Sequence, residues 1–342
     1  MIEEQAQQLF MKFKDSDDEG IVKLLNDPEW TASKEDYHPV VYIPKRSGGR
    51  RKIQEPKAYL KRAQQQIVHY LISCGYGPSP FAHGFVNKRG RRTNAMPHVG
   101  HSRMLKIDIE DFFGSCDSEM VITALDRLSP PGWLLHLVKR TCFIDGGLPQ
   151  GAPTSPMLSN ITAREMDYRL AGLCISFMRR PRKDMTKSYA NPRAEPIAYT
   201  RYADDLTFTS DWEGLKQLVH PVGHILANCG FTIKTKKTKY FTAPARLESC
   251  GVVISSDKIN ARRRERLYWR GRLHKMTVDI EHNNVPRGKF KREDGSLGHV
   301  SRKMLRRIRG KIAAIVDISP QDRGSLFAKF KELEALCASG GT

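Results

Sequence analysis

Three aspartates have the side-chain type and the setting that a divalent-cation site requires. Asp108 lies in the apolar, strand-like segment 105–109, and Asp204 and Asp205 are adjacent in the segment Tyr-Ala-Asp-Asp at 202–205. Neighbouring carboxylates at a strand turn repel each other and lose hydration, and a bound divalent cation is the usual compensation. Two such cations about 3.5–4 Å apart stabilise both the attacking and the leaving oxygen of an in-line phosphoryl transfer. The pattern therefore indicates phosphoryl-transfer chemistry, and solvated acidic turns are the simpler alternative.

The charge of the chain indicates a polyanionic partner. The 342 residues contain 57 Lys and Arg against 37 Asp and Glu, which gives a formal net charge of +20. A surplus of this size is typical of nucleic-acid-binding proteins, although a basic protein without such a partner is the alternative. The charge is also uneven, since residues 1–36 have a net charge of −6 whereas residues 258–311 have a net charge of +13.

Hydropathy and cysteine spacing indicate the cellular compartment of the protein. No apolar run reaches the length of about 18 residues that a membrane span needs, and the acidic, Gln-rich residues 1–10 do not resemble a signal peptide. The seven cysteines are widely spaced and form no Cys-x-x-Cys pair. This spacing argues against a disulfide framework or a structural zinc site. Together these features predict a cytoplasmic protein with no membrane partner.

Hydrophobic periodicity places the aspartates on interleaved strands and helices. Because the order shows no regular βαβ alternation, we expect an α+β fold. Strands are expected over residues 40–44, 104–109, 231–233 and 250–255, with a hairpin over 200–209. Helices are expected over residues 58–73, 118–128, 156–170, 216–229, 302–318 and 324–336. Ser118 is the expected N-cap of the second helix, and the basic segment 178–196 is expected to be a surface loop.

Several motifs resemble those of reverse transcriptases and follow in that family's order. Residues 202–205 are similar to the Tyr-x-Asp-Asp hairpin of the palm, and residues 108–113 (Asp-Ile-Glu-Asp-Phe-Phe) are similar to the first palm motif. Residues 148–151 (Leu-Pro-Gln-Gly) resemble the motif that lines the template and the incoming nucleotide. Further similar segments are residues 43–45, 49–53, 83–85, 230–233 and 236–238. The resemblance covers roughly residues 37–330.

One motif resembles the retron group within that family. Residues 94–98 (Asn-Ala-Met-Pro-His) match the Asn-Ala-x-x-His signature of retron reverse transcriptases. Residues 249–251 (Ser-Cys-Gly) depart from the Val-Thr-Gly that retron enzymes usually carry at this position, and keep only its glycine. The departure leaves defence-associated bacterial reverse transcriptases outside the retrons as an alternative group.

The resemblance implies a right-hand polymerase with fingers, a palm whose antiparallel sheet is backed by helices, and a helical thumb. On this basis residues 1–36 form an acidic N-terminal segment and residues 37–103 form the fingers. Residues 104–247 form the palm, which includes the basic loop, and residues 248–342 form an RNA-binding thumb.

The resemblance also implies roles for individual residues. Asp108, Asp204 and Asp205 would be catalytic and, with Ile109, would hold two Mg²⁺ ions, for which Mn²⁺ is a substitute. The implied contacts to the incoming nucleotide are Lys45, Arg51, Phe113, Gln150, Gly151 and Lys237. Phe113 would exclude a 2′-hydroxyl, while Gly151 would allow the backbone to approach closely. Arg50 is the alternative to Arg51, and Lys234 and Lys236 are the alternatives to Lys237.

RNA contacts are expected in two regions. The retron-like motif implies recognition or structural roles for Asn94 and His98. The basic stretch interleaves guanidinium groups with aromatic rings, which suits phosphate contact and base stacking. Its candidate RNA-binding residues are Arg262, Arg263, Arg264, Trp269 and Arg306. The alternative is an exposed basic helix with Trp269 in the core.

The function implied by these motifs is RNA-directed DNA synthesis from deoxynucleoside triphosphates. A retron enzyme would copy part of a cognate structured noncoding RNA into short, branched, RNA-linked single-stranded DNA. Its partners would be that RNA, the DNA product and a separate effector protein in anti-phage defence. A non-retron defence-associated reverse transcriptase is the alternative, and an RNA-binding scaffold without activity is a further one.

Overall fold

The computed structural model describes residues 27, 29–44, 48–179, 196–281, 289–291, 297–299 and 301–338. Lys45, most of the acidic segment 1–36 and residues 180–195 of the basic loop lie outside the described residues. The described part of the chain contains no helix with the length and hydrophobicity needed to cross a bilayer.

Strands and helices interleave along the chain, as the sequence predicts for an α+β fold. The strands are β1 Val41–Pro44, β2 Arg50–Ile53, β3 Arg103–Asp108, β4 Ala198–Tyr202, β5 Asp205–Ser210, β6 Lys239–Thr242, β7 Leu247–Ser249, β8 Val252–Ile254, β9 Ile259–Ala261, β10 Lys289–Lys291 and β11 Leu297–His299. The α-helices are α1 Ala58–Ser73, α2 Arg91–Ala95, α3 Ser118–Asp126, α4 Gly132–Thr141, α5 Ser155–Thr162, α6 Arg164–Arg179, α7 Val219–Asn228, α8 Arg263–Glu281, α9 Arg302–Ile318 and α10 Arg323–Ala338. Short 3₁₀ helices cover Lys34–Asp36, Met96–His98, Glu213–Leu218, Thr235–Lys237 and Pro320–Asp322.

The first of two compact units carries the acidic residues. It comprises Met1–Gly90 and Arg103–Phe241. Its sheet has the strand order β4-β5-β3-β6, and β5 is antiparallel to both β3 and β4. Apolar side chains of the sheet and of the surrounding helices form one core, which includes Leu105, Ile107, Leu206 and Phe208 on the strands. A separate antiparallel hairpin is formed by β1 and β2.

The second unit combines a small sheet with three long helices. It comprises Arg91–Ser102 and Thr242–Thr342. Strands β7, β8 and β9 form an antiparallel sheet, and α8 packs against α10. Helix α9 buries Ile308, Ile312 and Ile315 at helical spacing, which leaves its arginines on the opposite, exposed face.

This division differs from the predicted fingers, palm and thumb boundaries. Residues 37–90 and 104–241 lie in one unit, and residues 91–102, which the sequence assigns to the fingers, belong to the second unit. The reason is local, because the buried Asn94 of α2 donates a hydrogen bond to Ser249 at the end of β7. The functional division into fingers, palm and thumb stays a prediction.

Helix prediction is most accurate where an apolar stripe is complete. The bounds predicted for α1 and α9 match the structure, and Leu60, Ile67 and Leu71 of α1 are fully buried. The predicted helix 156–170 is divided at Ala163 into α5 and α6. The predicted helix 216–229 begins as a 3₁₀ helix and becomes α-helical only at Val219.

Three finer expectations are wrong, and three helices were not predicted. The N-cap of α3 is Asp117, not Ser118, because the Asp117 carboxylate accepts the backbone N–H of Met120 at 2.8 Å. Residues 231–233 form no strand, although Ile233 makes an isolated antiparallel bridge to Ile109. Residues 250–255 contain only the short strand β8. Helices α2, α4 and α8 have no counterpart among the sequence predictions.

The Asn94–Ser249 hydrogen bond predicts a stability effect in the second unit. The Asn94 Nδ2 donates to the Ser249 Oγ at 3.1 Å, and both side chains are fully buried. Alanine in place of Ser249 removes only the hydroxyl group and offers no acceptor. We expect Ser249→Ala to lower the free energy of unfolding by about 1–3 kcal/mol in a urea titration. Ser256→Ala, at an exposed serine, should change it by less than about 0.5 kcal/mol. Equal values for the two variants would contradict the prediction.

Candidate active site

The antiparallel register brings the three aspartates together. Asp108, the last residue of β3, lies opposite Asp205, the first residue of β5. Ala203 and Asp204 form the tight turn between β4 and β5, and Ala203 has a φ of +56°. The backbone N–H of Ile109 donates to the carbonyl oxygen of Asp204 at 2.8 Å. The turn is therefore fixed against the strand that carries the third carboxylate.

Two lysines offset part of the negative charge that this register concentrates. The Lys237 Nζ lies 3.0 Å and 2.9 Å from the two carboxylate oxygens of Asp108. The Lys106 Nζ lies 2.7 Å from the Asp205 Oδ2. The pKa of Asp204 is nevertheless raised, first by burial and then by the charges of Asp108 and Asp205. A cation placed beside Asp204 would relieve this excess negative charge.

The donor chemistry of the site fits a magnesium ion. Carboxylates and carbonyl oxygens are the protein ligands that Mg²⁺ prefers, and the ion usually completes its coordination with water and substrate phosphates. Asp108 and Asp205 retain 18% and 23% side-chain exposure, so both carboxylates are reachable from solvent. Within the described residues, no three His, Cys, Asp or Glu side chains are already grouped around one position that could hold a metal. The expected metal ligands therefore lie near one another, but they do not yet surround a single metal position.

An open cleft of about 960 Å³ lies in front of the aspartates. Its walls come from the β1–β2 hairpin, the end of β3, the segment before α5 and the lysine-rich residues before β6. The predicted residues that line it are Arg51, Asp108, Ile109, Phe113, Gln150, Gly151, Asp204 and Lys237. The structure therefore brings most of the predicted nucleotide-contacting set to one surface within the first unit, while their individual roles stay predictions.

Three choices between neighbouring residues are distinguished by their environments in the structure. Both phenylalanines border the cleft, but Phe112 is 4% exposed and packs against Phe231 in the core, whereas the half-buried Phe113 lies against Phe85. Arg51 lines the cleft and its neighbour Arg50 does not. Among the lysines, Lys234 and Lys237 both line the cleft, and Lys237 is the one that contacts Asp108.

Gly151 is required by the protein itself. Its φ of +128° is in a region that L-residues rarely adopt, and a Cβ atom there would lie 2.8 Å from the carbonyl oxygen of Gln54. The Gln54 N–H donates to the Gln150 carbonyl at 2.8 Å. We expected the close approach at Gly151 to be that of a substrate. In the structure the chain after β2 makes this approach, and the contact ties the β1–β2 hairpin to the floor of the cleft.

The structure favours the structural alternative for Asn94 and His98, because both side chains are 0% exposed. Asn94 bonds to Ser249 inside the second unit, and an RNA contact of either residue stays a prediction. The serine that replaces the valine of the usual retron triplet supplies the acceptor. Asn94 and His98 therefore both lie in the interior of the fold.

The arginine-rich region has a mixed environment. Arg263, Arg264 and Arg306 are exposed on α8 and α9. Arg262 is paired with Glu248, which raises the pKa of its guanidinium group. Trp269 is half-buried and its ring lies 5.4 Å from that of the exposed Tyr268. The exposed arginines stay predicted RNA contacts, and the paired Arg262 is less available for one.

A buried ion pair that the sequence did not predict lies behind the aspartate turn. Arg201 and Asp167 are both 0% exposed, and the Arg201 Nε lies 2.8 Å from the Asp167 Oδ1. Strand alternation gives no signal for it, since Thr200 on the other face of β4 is buried as well as Tyr199 and Arg201.

The fold and the site together define a right-hand polymerase whose palm sheet carries the acidic residues. A family described as reverse transcriptase (RNA-dependent DNA polymerase) matches residues 43–269. The match covers more than half of the chain, and the chain belongs to this family. RNA-directed DNA polymerase activity is the activity of the family, and the fold class expected from the sequence is confirmed.

Similar curated proteins are retron reverse transcriptases, which confirms the retron-type resemblance. Retron Ec86 reverse transcriptase of Escherichia coli is 29% identical over 257 residues, which are 72% of this chain and 74% of that protein. Retron Mx65 reverse transcriptase of Myxococcus xanthus is 32% identical over 266 residues, 70% of this chain and 56% of its own length. Retron Ec83 reverse transcriptase of Escherichia coli is 25% identical over 317 residues, 86% of this chain and 88% of that protein.

A histidine beside the turn predicts a pH effect on stability. Burial, with the charges of Arg89 and Arg201, lowers the pKa of His83 from 6.5 to about 4. Between these values the unfolded chain binds a proton that the folded chain does not, so this group destabilises the folded state as the pH falls through this range. His83→Asn should therefore lose less stability than the unmodified protein between pH 7.5 and pH 5, measured by urea unfolding at each pH. Gln65→Asn, which places the same new side chain at an exposed position of α1, should lose as much as the unmodified protein. An identical loss for both variants would disprove the assignment.

Proposed function

We propose that this protein is the RNA-directed DNA polymerase of a retron. It copies part of a cognate structured noncoding RNA into short single-stranded DNA, and the DNA stays joined to the RNA through a branch. The observation that carries the proposal is the convergence of Asp108, Asp204 and the nucleotide-contacting set on one cleft. The similarity to retron reverse transcriptases supports the RNA template and the retron setting.

In this proposal Asp108, Asp204 and Asp205 hold two Mg²⁺ ions together with the Ile109 carbonyl oxygen, and Mn²⁺ is a substitute. The bound ions would neutralise developing charge on the phosphates during transfer to the primer hydroxyl. Arg51 of β2 grips the triphosphate of the deoxynucleoside triphosphate, for which its planar donor pairs are suited. Gln150 and Gly151 form the floor beneath the template–nucleotide pair.

In this proposal Lys237 assists the leaving group. Its Nζ bonds both oxygens of Asp108 and it lines the cleft. A triphosphate that enters the cleft would meet the Lys237 ammonium group on the cleft wall. This group can donate a proton to the departing pyrophosphate. The alternative donor Lys234 lies 3.9 Å from Glu110, so the two lysines have different carboxylate partners.

RNA binding is assigned to the exposed cations of the second unit. Helices α8 and α9 present Arg263, Arg264 and Arg306 to solvent, and such cations bind phosphates with a strong salt dependence. Trp269 and Tyr268 add a partly exposed aromatic surface for base stacking. The RNA–DNA product and the enzyme then join a separate effector protein in cytoplasmic anti-phage defence.

The nucleic acid bound to the protein tests this proposal. We would purify the protein from cells that carry its native locus, extract the nucleic acid, and treat separate portions with RNase and DNase. The expected result is a discrete short DNA that stays linked to RNA until a debranching enzyme is added. RNA alone would favour a scaffold, and long unbranched DNA would favour a defence-associated enzyme outside the retrons; either result would overturn the retron proposal.

Removal of one carboxylate should separate synthesis from RNA binding. Asp108→Asn keeps the side-chain shape and removes the charge that would hold a cation. We expect DNA synthesis to fall by at least about 10³-fold, while RNA affinity in a filter-binding assay changes less than about twofold because the exposed arginines are untouched. Asp126→Asn, at an exposed position of α3, is the matched control. Retained synthesis in Asp108→Asn would exclude this aspartate from the reaction.

Enlargement of the cleft at Phe113 should weaken discrimination against ribonucleotides. The ring of Phe113 is half-buried in the cleft and would collide with a 2′-hydroxyl. Phe113→Val should raise kcat/KM for ribonucleoside triphosphates relative to deoxynucleoside triphosphates by about 10- to 100-fold. Single-nucleotide incorporation on a primed RNA template measures this ratio. An unchanged ratio, with normal deoxynucleotide incorporation, would assign discrimination to another residue.

A further inference from the structure

A buried arginine lies directly behind the turn that carries Asp204. Arg201 is the penultimate residue of β4, and its side chain is completely buried. Its Nε and Nη2 donate to the two carboxylate oxygens of Asp167 on α6, each at 2.8 Å. This planar, two-bond geometry fixes the orientation of the guanidinium group.

The remaining nitrogen of that group contacts the turn itself. The Arg201 Nη1 donates to the carbonyl oxygen of Ala203 at 3.2 Å and to the Asn160 Oδ1 at 2.9 Å. Ala203 has a φ of +56°, a left-handed conformation that costs energy for a residue with a Cβ atom. A hydrogen bond from a fixed, charged donor to the carbonyl of that residue stabilises this conformation.

The same network closes on the turn from a second direction. The Asn160 Nδ2 donates to the Gly84 carbonyl at 2.9 Å. A Cβ atom on Gly84 would lie only 2.6 Å from the backbone nitrogen of Ala203. The Arg201 backbone also accepts a hydrogen bond from the His83 N–H at 2.7 Å. The segment around Gly84 and the arginine therefore confine the turn between them.

The charge balance explains how an arginine is tolerated at this depth. Burial by itself lowers the pKa of Arg201, but the Asp167 carboxylate more than offsets this, and the pKa is raised. Asp167 also accepts hydrogen bonds from the Tyr199 hydroxyl at 2.7 Å and from Ser79. Buried ion pairs contribute little net stability compared with apolar packing. The more specific consequence of the Arg201–Asp167 pair is a precise geometry at the aspartate turn.

We propose that Arg201, oriented by Asp167, is a positioning residue that sets the conformation of the Ala203 turn and so the placement of the Asp204 carboxylate in the cleft. Gly84 is part of the same device because its missing side chain allows the turn to take this position. The inference rests on the proposed function, in which Asp204 holds a catalytic metal ion. It adds residues that contact neither the nucleotide nor the metal.

Two variants disturb the turn in different ways. Arg201→Lys keeps a positive charge for Asp167, but a single ammonium group cannot reproduce the four hydrogen bonds of the guanidinium group. Gly84→Ala leaves the ion pair intact and pushes on the Ala203 nitrogen, so it tests the proposal if the first variant does not fold. Gly172→Ala is the matched control, because a Cβ atom on Gly172 of α6 meets nothing within 4 Å.

Kinetics and hydrogen exchange are measured on the full chain. We expect kcat for nucleotide addition to fall about 100-fold in both variants, with KM for the deoxynucleotide changed less than about threefold and a higher Mg²⁺ concentration needed for half-maximal rate. The Ile109 amide, which bonds to the Asp204 carbonyl at 2.8 Å, should exchange at least about tenfold faster. Amides of α7 serve as the internal reference for general loosening.

The two readouts separate the possible failures. If the unmodified protein adds no nucleotide, the proposed function fails, while faster Ile109 exchange in the variants still supports control of the turn. If Ile109 exchange and kcat in Gly84→Ala equal those of Gly172→Ala, the positioning proposal is overturned. A third outcome is lower stability, equally faster exchange at α7 and at Ile109, and an unchanged Mg²⁺ requirement. This outcome would show a merely structural role for Arg201 and would also overturn the positioning proposal.

Discussion

The structure depends on holding three carboxylates together against their mutual repulsion. The antiparallel register places Asp108 opposite Asp205, and a left-handed residue in the turn brings Asp204 beside them. Lys106 and Lys237 offset part of the charge, yet the pKa of Asp204 stays raised by burial and by its neighbours. Such a site costs stability and needs a rigid support. The sheet, the core helices and the loop at Gly84 supply that support within one unit.

Sequence patterns predicted the elements whose apolar stripes are complete. Helices α1 and α9 match their predicted bounds because Leu60 and Ile67 in one, and Ile308 and Ile312 in the other, repeat at helical spacing. Helix α8 was not predicted, since basic residues interrupt its apolar pattern and its buried side chains, such as Leu273, are few. Short strands such as β7 and β9, three residues each, are too brief for alternation to show.

In the site, the sequence predicted residues for the proposed chemistry and missed the buried ion pair behind them. Asp108 and Asp204 were singled out by residue type and spacing, and Phe113 by the resemblance of its segment to a family motif. Arg201 was missed because a charged side chain is normally assumed to be exposed. The retron-like motif gave Asn94 a recognition or structural role, and the structure shows it buried and bonded to Ser249. Burial of a polar group depends on partners distant in sequence, and a local pattern does not contain them.

The positive charge of the chain therefore serves two separate purposes. Arg201 and Arg89 are used internally, the first on Asp167 and the second on the carbonyl oxygens of Ser79 and Ala82, each 2.7 Å from its Nη1. These cations fix backbone near the aspartate turn and are not available to a polyanion. The surplus relevant to the proposed RNA binding is the part exposed on helices such as α8 and α9. A net charge of +20 consequently indicates the kind of partner, but the number of phosphate contacts follows only from which cations are free of internal carboxylates and carbonyls.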